Sequence, residues 1–187
     1  TLQTAAVQTG LPHPVHVHCN NLGTPGNIQT IVDTMEAAQG LPMHLAHVQF
    51  YGYGNEGKFG FSSAAAQLMA AFNRYPNITM DVGQVLFGQT VTLSGDVMAQ
   101  FARRGDASPN KWHVWHAENE GSGGIVPYQY KQTSFVNGLQ WAIGLEIFLL
   151  SEDPWRLFFT TDHPNGAPFT RYPDLLHLLM SYEYRMA

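Results

Sequence analysis

Four short apolar runs, at 15–19, 43–49, 78–82 and 156–161, alternate with stretches whose apolar residues recur at helical spacing. Strands that alternate with helices imply a parallel sheet, so the chain reads as an α/β fold, either doubly wound or a (β/α) barrel. The first helix follows Thr24-Pro25-Gly26-Asn27 and is marked by Ile28, Ile31, Met35 and Ala38, with Gly40 and Pro42 to stop it. The glycine-rich YGYGNEGKFG is expected to be a loop, after which Ser62 or Ser63 caps a helix with the body AAAQLMAAFNRY. Ser134 caps the strongest helical pattern, FVNGLQWAIGLEIFLLSE, which Asp153-Pro154 breaks, and a last helix is expected at 174–185. Between the third and fourth runs, about 84–133 reads as an irregular insertion, with a short strand expected at 112–115.

Composition narrows the function. Hydrophobic residues make up 44% of the 187 positions, enough for one domain with a substantial core. Charged residues are scarce at 12%, and a net charge of −5 argues against nucleic acid, which requires clustered Lys and Arg. So few surface charges fit a chain that other protein partly covers, as in a multisubunit complex. No run approaches the ~18 apolar residues of a membrane span. The single cysteine, Cys19, can form neither an internal disulfide nor a thiolate metal cluster, which suits a reducing, cytoplasmic setting. The first residues lack the basic and apolar segments of a signal peptide.

In parallel α/β folds the functional groups collect just beyond the C-terminal ends of the strands. Three polar residues meet that condition: His18 after PVHV, His47 near the end of MHLAHVQ, and Asp162 after RLFFTT. Alternation along a strand places His16 and His18 on one face and Cys19 on the other. His44 and His47 are three apart, so only one of them is expected to face the site, and His47 is nearer the strand end. Two imidazoles and a carboxylate suit zinc, with manganese or iron(II) as alternatives. In that role Asp162 accepts a proton from water and passes it to a leaving nitrogen. Each residue also has a plainer reading. His18 and His47 could be hydrogen-bonded core histidines, and Asp162 could cap the turn before Pro164-Asn165-Gly166. Cys19 reads as an inert packed thiol, His113 and His116 as surface or interface groups, and His177 as structural.

The motifs HVHCNN, LAHVQ and TTDHP resemble those of the amidohydrolase superfamily. The longer stretches HCNNLGTPGN, DVGQVLFGQT, GLQWAIGLEIFLLSEDPWR and TTDHPNGAPFTRYP are similar to the amidohydrolase-type subunits of formylmethanofuran dehydrogenases and formyltransferase/hydrolase complexes. The resemblance implies that 1–187 form the C-terminal half of a metal-dependent hydrolase (β/α)8 TIM barrel, strands five to eight, with the insertion at about 84–133. It implies a binuclear zinc centre, with His18 and His47 as the ligands that end strands five and six. Asp162 would be the ligand and catalytic base at the end of strand eight. Asn20, Asn21 and Asn165, just beyond these ligands, are expected to hydrogen-bond the substrate.

The implied activity is zinc-dependent interconversion of N-formylmethanofuran with methanofuran and formate, in a cytoplasmic complex of one-carbon metabolism. A silent barrel scaffold in the same complex is the alternative from another class. Amide hydrolysis on a hydantoin, dihydroorotate or N-acyl amino acid is a third. The resemblance places the family's H-X-H pair on strand one and bridging lysine on strand four upstream of Thr1, and Lys58, Lys111 and Lys131 all follow strand five, so none of them fits the bridging position. The chain is therefore expected to be a partial sequence that does not close a barrel alone.

Overall fold

The computed structural model describes residues 1–93 and 125–186. Its centre is a parallel sheet of four strands in chain order: β1 (Val15–Val17), β2 (Met43–Leu45), β5 (Ile78–Gly83) and β8 (Leu157–Thr160). The order never reverses, unlike the order in a doubly wound sheet. Each sequence run contains its strand, but β1 and β2 end two and four residues early, because the ladder stops at Val17↔Leu45. Beyond Leu45 the chain turns through His47 into a 3-10 turn at Val48–Tyr51.

Helices connect the strands: α2 (Ile28–Ala37), α3 (Ala65–Arg74) and α4 (Phe135–Leu149). They supply Ile31, Met35, Leu68, Phe72, Ile143 and Ile147 to a core shared with Leu45, Ile78, Met80 and Val82 of the sheet. All of these are fully buried, and each such side chain contributes about 1.5–3 kcal/mol by leaving water. Since strand residues alternate faces, this packing fixes what the opposite face carries. The registers His16↔His44↔Thr79 and Asp81↔Phe158 put a largely polar stripe there.

Two helix starts show what local sequence can and cannot specify. Ser134 caps α4 as expected, accepting from the Asn137 N–H. Asn27 stands at the start of α2 but does not cap it. Its buried carboxamide donates to the carbonyls of Asn21 and Phe50 and accepts from the Tyr53 N–H, tying together the segments that follow β1 and β2.

Elsewhere tertiary pairing overrides local pattern. The YGYGNEGKFG loop contains β3 (Tyr53–Gly54), paired antiparallel with β4 (Ser62–Ser63). The insertion at 84–133 begins and ends on an antiparallel ribbon, β6 (Gly88–Leu93) with β7 (Ile125–Tyr130), rather than being irregular there. The expected strand at 112–115, with His113, His116 and Lys111, lies outside the described residues. The expected terminal helix is two, α5 (Tyr172–Met180) and α6 (Tyr182–Met186), separated at Ser181. An N-terminal helix not expected from the sequence, α1 (Leu2–Gln8), is capped by Thr1. Among the described residues no helix is long and apolar enough to cross a membrane.

Candidate active site

At the C-terminal edge of the sheet the chain leaves three strands within a few residues of one another. His18 follows β1 directly. His47 and Asp162 each lie two residues past their strands, and both take left-handed backbone conformations, with φ of 38° and 47°. That conformation costs a non-glycine residue about 1–2 kcal/mol, so local contacts must hold it. It also turns both side chains back over the sheet edge. His18 Nδ1 lies 2.6 Å from His47 Nε2, and His47 Nε2 lies 4.0 Å from Asp162 Oδ1. All three groups are on the same side of the sheet.

The gap they converge on is kept open by Gly83, the last residue of β5. A β-carbon there would lie 2.7 Å from the β-carbons of both His47 and Asp162. Gln49 secures this glycine's backbone, accepting from the Gly83 N–H at 2.9 Å and donating to the Gly83 carbonyl. Asn165, also buried, donates to Asp162 Oδ2 at 2.6 Å.

The histidine cluster is larger than the sequence suggests. His16 Nε2 lies 3.0 Å from His18 Nε2, and the rings of His16 and His44 are 5.2 Å apart. His44 faces the same side as His47 although they are three apart, because the strand has ended between them. Alternation no longer applies there. Burial lowers the pKa of His16 below its usual value, helped by neighbouring His18 and His44 and opposed by Asp81. The shift favours the neutral imidazole, the form able to accept a proton or ligate a cation.

Asp81 is the functional-looking residue that sequence reasoning misses. It lies within the third strand run, in the quoted DVGQV, where the sequence marks only a strand. The residue is 7% exposed, and its carboxylate accepts from His44 Nε2 at 3.0 Å, the His47 backbone N–H at 2.9 Å and Thr160 Oγ1 at 2.7 Å. Burial acts to raise its pKa, but these hydrogen bonds and a charge on His47 outweigh it and hold the carboxyl below its usual range. A charged residue inside an apolar strand run is the available signal, since such a group is rarely buried unpaired.

The remaining expected residues divide. Asn21 (φ 64°) builds the turn into α2, donating to Thr30 Oγ1 at 3.0 Å, and Asn20 is exposed on the same loop. Among the described residues no hydrogen bond ties either one to the cluster. His163 turns away, accepting from the Phe169 N–H. Cys19 is buried, and His177 is exposed on α5.

Imidazole and carboxylate donors fit zinc in kind. The two imidazoles stand at hydrogen-bond distance, 2.6 Å, whereas two nitrogens on one tetrahedral zinc stand about 3.3 Å apart. Among the described residues no group of three or more His, Cys, Asp or Glu side chains has the arrangement of a formed metal-binding cluster.

Comparison with known proteins agrees with this architecture. The model of the amidohydrolase family matches residues 1–187. The chain is 52% identical to FhcA, one of the proteins of the formyltransferase/hydrolase complex Fhc of Methylorubrum extorquens, across 98% of this chain and 34% of that protein. It is 37% identical to protein FwdA of Methanocaldococcus jannaschii, across 94% of this chain and 33% of that one. The chain thus spans about a third of the length of these curated relatives. The crystal structure of the FhcABCD complex from M. extorquens with methylofuran contains a chain that superposes with a TM-score of 0.85 at 52% identity, covering 99% of this chain and 34% of that one. With a family match over its whole length and these identities, the chain belongs to the amidohydrolase family.

Proposed function

We propose that this chain supplies the second half of a (β/α)8 barrel, strands five to eight, in the amidohydrolase-type subunit of a formyltransferase/hydrolase complex. There it hydrolyses, or in reverse forms, the formamide of a methanofuran-type carrier amine. The barrel reading is supported by four parallel strands in chain order with helices packed on one face. The other face, half exposed at His16 and Phe158, is the side a closed barrel encloses.

The observation that carries the proposal is the meeting of His18, His47 and Asp162 at the sheet's C-terminal edge. His18 and His47 would hold zinc together with Asp162. When bound, zinc supplies Lewis acidity to the amide carbonyl and acidity to water. Asp162 takes up the proton that water loses and delivers it to the departing nitrogen, since a carbon–nitrogen bond breaks readily only when nitrogen leaves as a neutral amine. Asn165 donates to Oδ2 and orients the carboxylate, whose Oδ1 stands 4.0 Å from His47 Nε2.

The partners that fit this reading are the other proteins of such a complex, and the ligand is of the kind named for the M. extorquens structure. In the complete protein that carries this chain, Asp162→Asn should reduce formamide turnover at least a hundredfold with its melting temperature unchanged. Turnover within tenfold of the parent rejects Asp162 as the base. Zinc analysis separates hydrolysis from a scaffold role, because a scaffold binds less than one zinc per complete chain.

A further inference from the structure

The middle strand of the site, β5, contributes no group to the His18–His47–Asp162 cluster, yet both of its neighbours are fastened to it through one side chain. Asp81 Oδ1 accepts from the backbone N–H of His47 on one flank and from Thr160 Oγ1 on the other. Thr160 ends β8, two residues before Asp162. The His47 N–H lies past the last ladder pair, Leu45↔Met80, and bonds the Asp81 side chain. Two residues further along β5, Gly83 admits the β-carbons of His47 and Asp162.

We propose that Asp81 is the positioning residue of this site: by binding both flanking segments through one oxygen it sets the backbone of His47 and the spacing of His47 from Asp162. The inference rests on the proposed function only for what the spacing is used for; the positioning itself is a matter of geometry. The chemistry of the three donors makes the claim specific. The His47 N–H can only donate. The Thr160 hydroxyl can donate or accept, and a neutral His44 ring can present either character at Nε2. Asparagine at 81 can thus keep its oxygen toward His47 and Thr160 and offer its amide to His44. Alanine removes every acceptor and leaves the His47 N–H without its partner in a buried position.

The experiment compares Asp81→Asn, Asp81→Ala, Thr160→Val and Thr160→Ser in the complete protein, by crystal structure and by kcat and KM on a formamide. Asp81→Asn should keep His47 in its left-handed conformation and hold kcat within about tenfold. Asp81→Ala should move the His47 ring from His18 by more than 1 Å and reduce kcat at least a hundredfold with KM changed less than threefold. Thr160→Val should lower kcat about tenfold, and Thr160→Ser, which restores the hydroxyl, should recover it. A folded Asp81→Ala protein with His47 in place overturns the proposal. If Asp81→Ala does not fold, Thr160→Val with unchanged kcat and unchanged His47–Asp162 spacing overturns it. If the parent lacks formamide turnover, the proposed function fails by itself. The positions of His47 and Asp162 in the variant crystals then decide the positioning claim alone.

Discussion

His47 and Asp162 adopt the same unusual backbone conformation, two residues beyond the ends of strands that lie either side of β5. Strands two positions apart in a parallel sheet are separated by roughly 10 Å, too far for direct contact between the ends of short side chains. The left-handed turns bring the two residues together above the strand that separates them, and the absence of a side chain at Gly83 gives them room.

Gly83→Ala should therefore spread the site. Its methyl group would stand 2.7 Å from two β-carbons at once, and one of the two turns must yield. The expected cost is about 1–3 kcal/mol in stability, of the kind seen for overpacking. Turnover should fall tenfold or more, since displacements of ~1 Å in a reacting site cost up to about a hundredfold. Thermal melting and kcat of the complete protein check both, and an unchanged melting temperature would show that the turns adapt freely.

Cys19 should be unreactive in the folded protein. Burial pushes its thiol from an ordinary 9.0 up to about 11, with a hydrogen bond to Thr34 acting in the opposite direction. At pH 9 the thiolate fraction should be about fiftyfold lower than in the unfolded chain, and iodoacetamide labelling slower by at least that factor. Because folding raises this pKa, the stabilisation from the neutral thiol is complete below pH 9.0 and is lost as pH rises toward 11. Labelling rates with and without urea measure the difference; equal rates would mean the thiol is not enclosed.

Asn27→Ala should destabilise the protein by roughly 2–4 kcal/mol, because it takes from the Tyr53 N–H its carboxamide acceptor and removes the amide's bonds to the Asn21 and Phe50 carbonyls, the latter still bonded by the Gly23 N–H. A urea melt measures this. Because the Asn27 side chain does not cap α2, the loss should exceed what a missing N-cap bond produces, about 1 kcal/mol. A loss of that size or smaller would show that the two loops hold their places without it.

Much of the architecture is legible in the residues themselves. Alternation of apolar runs with helical periodicity identifies all four sheet strands, because burial on one face of a helix or within a parallel sheet imposes those periods directly. Strand ends mark His18, His47 and Asp162 as candidates, and the fold brings these three side chains together. The limits are equally physical. Period-two reasoning allows only one of His44 and His47 to face the site, yet both do, since alternation holds only while the ladder continues and this one stops at Leu45. The β6–β7 ribbon escapes a local reading because its strands pair across the long stretch from Leu93 to Ile125, and Pro127 within β7 argues against a strand.

What the chain's sequence determined alone is therefore the four strands of the central sheet with the helices that connect them, consequences of local hydrophobic periodicity, and through the strand ends the edge where the candidate donors lie. Tertiary structure decided which donors meet. The left-handed turns at His47 and Asp162, the gap at Gly83 and the three-way acceptance by Asp81 depend on hydrogen bonds and close approaches between segments from separate strands. No spacing along a single segment encodes contacts of that kind.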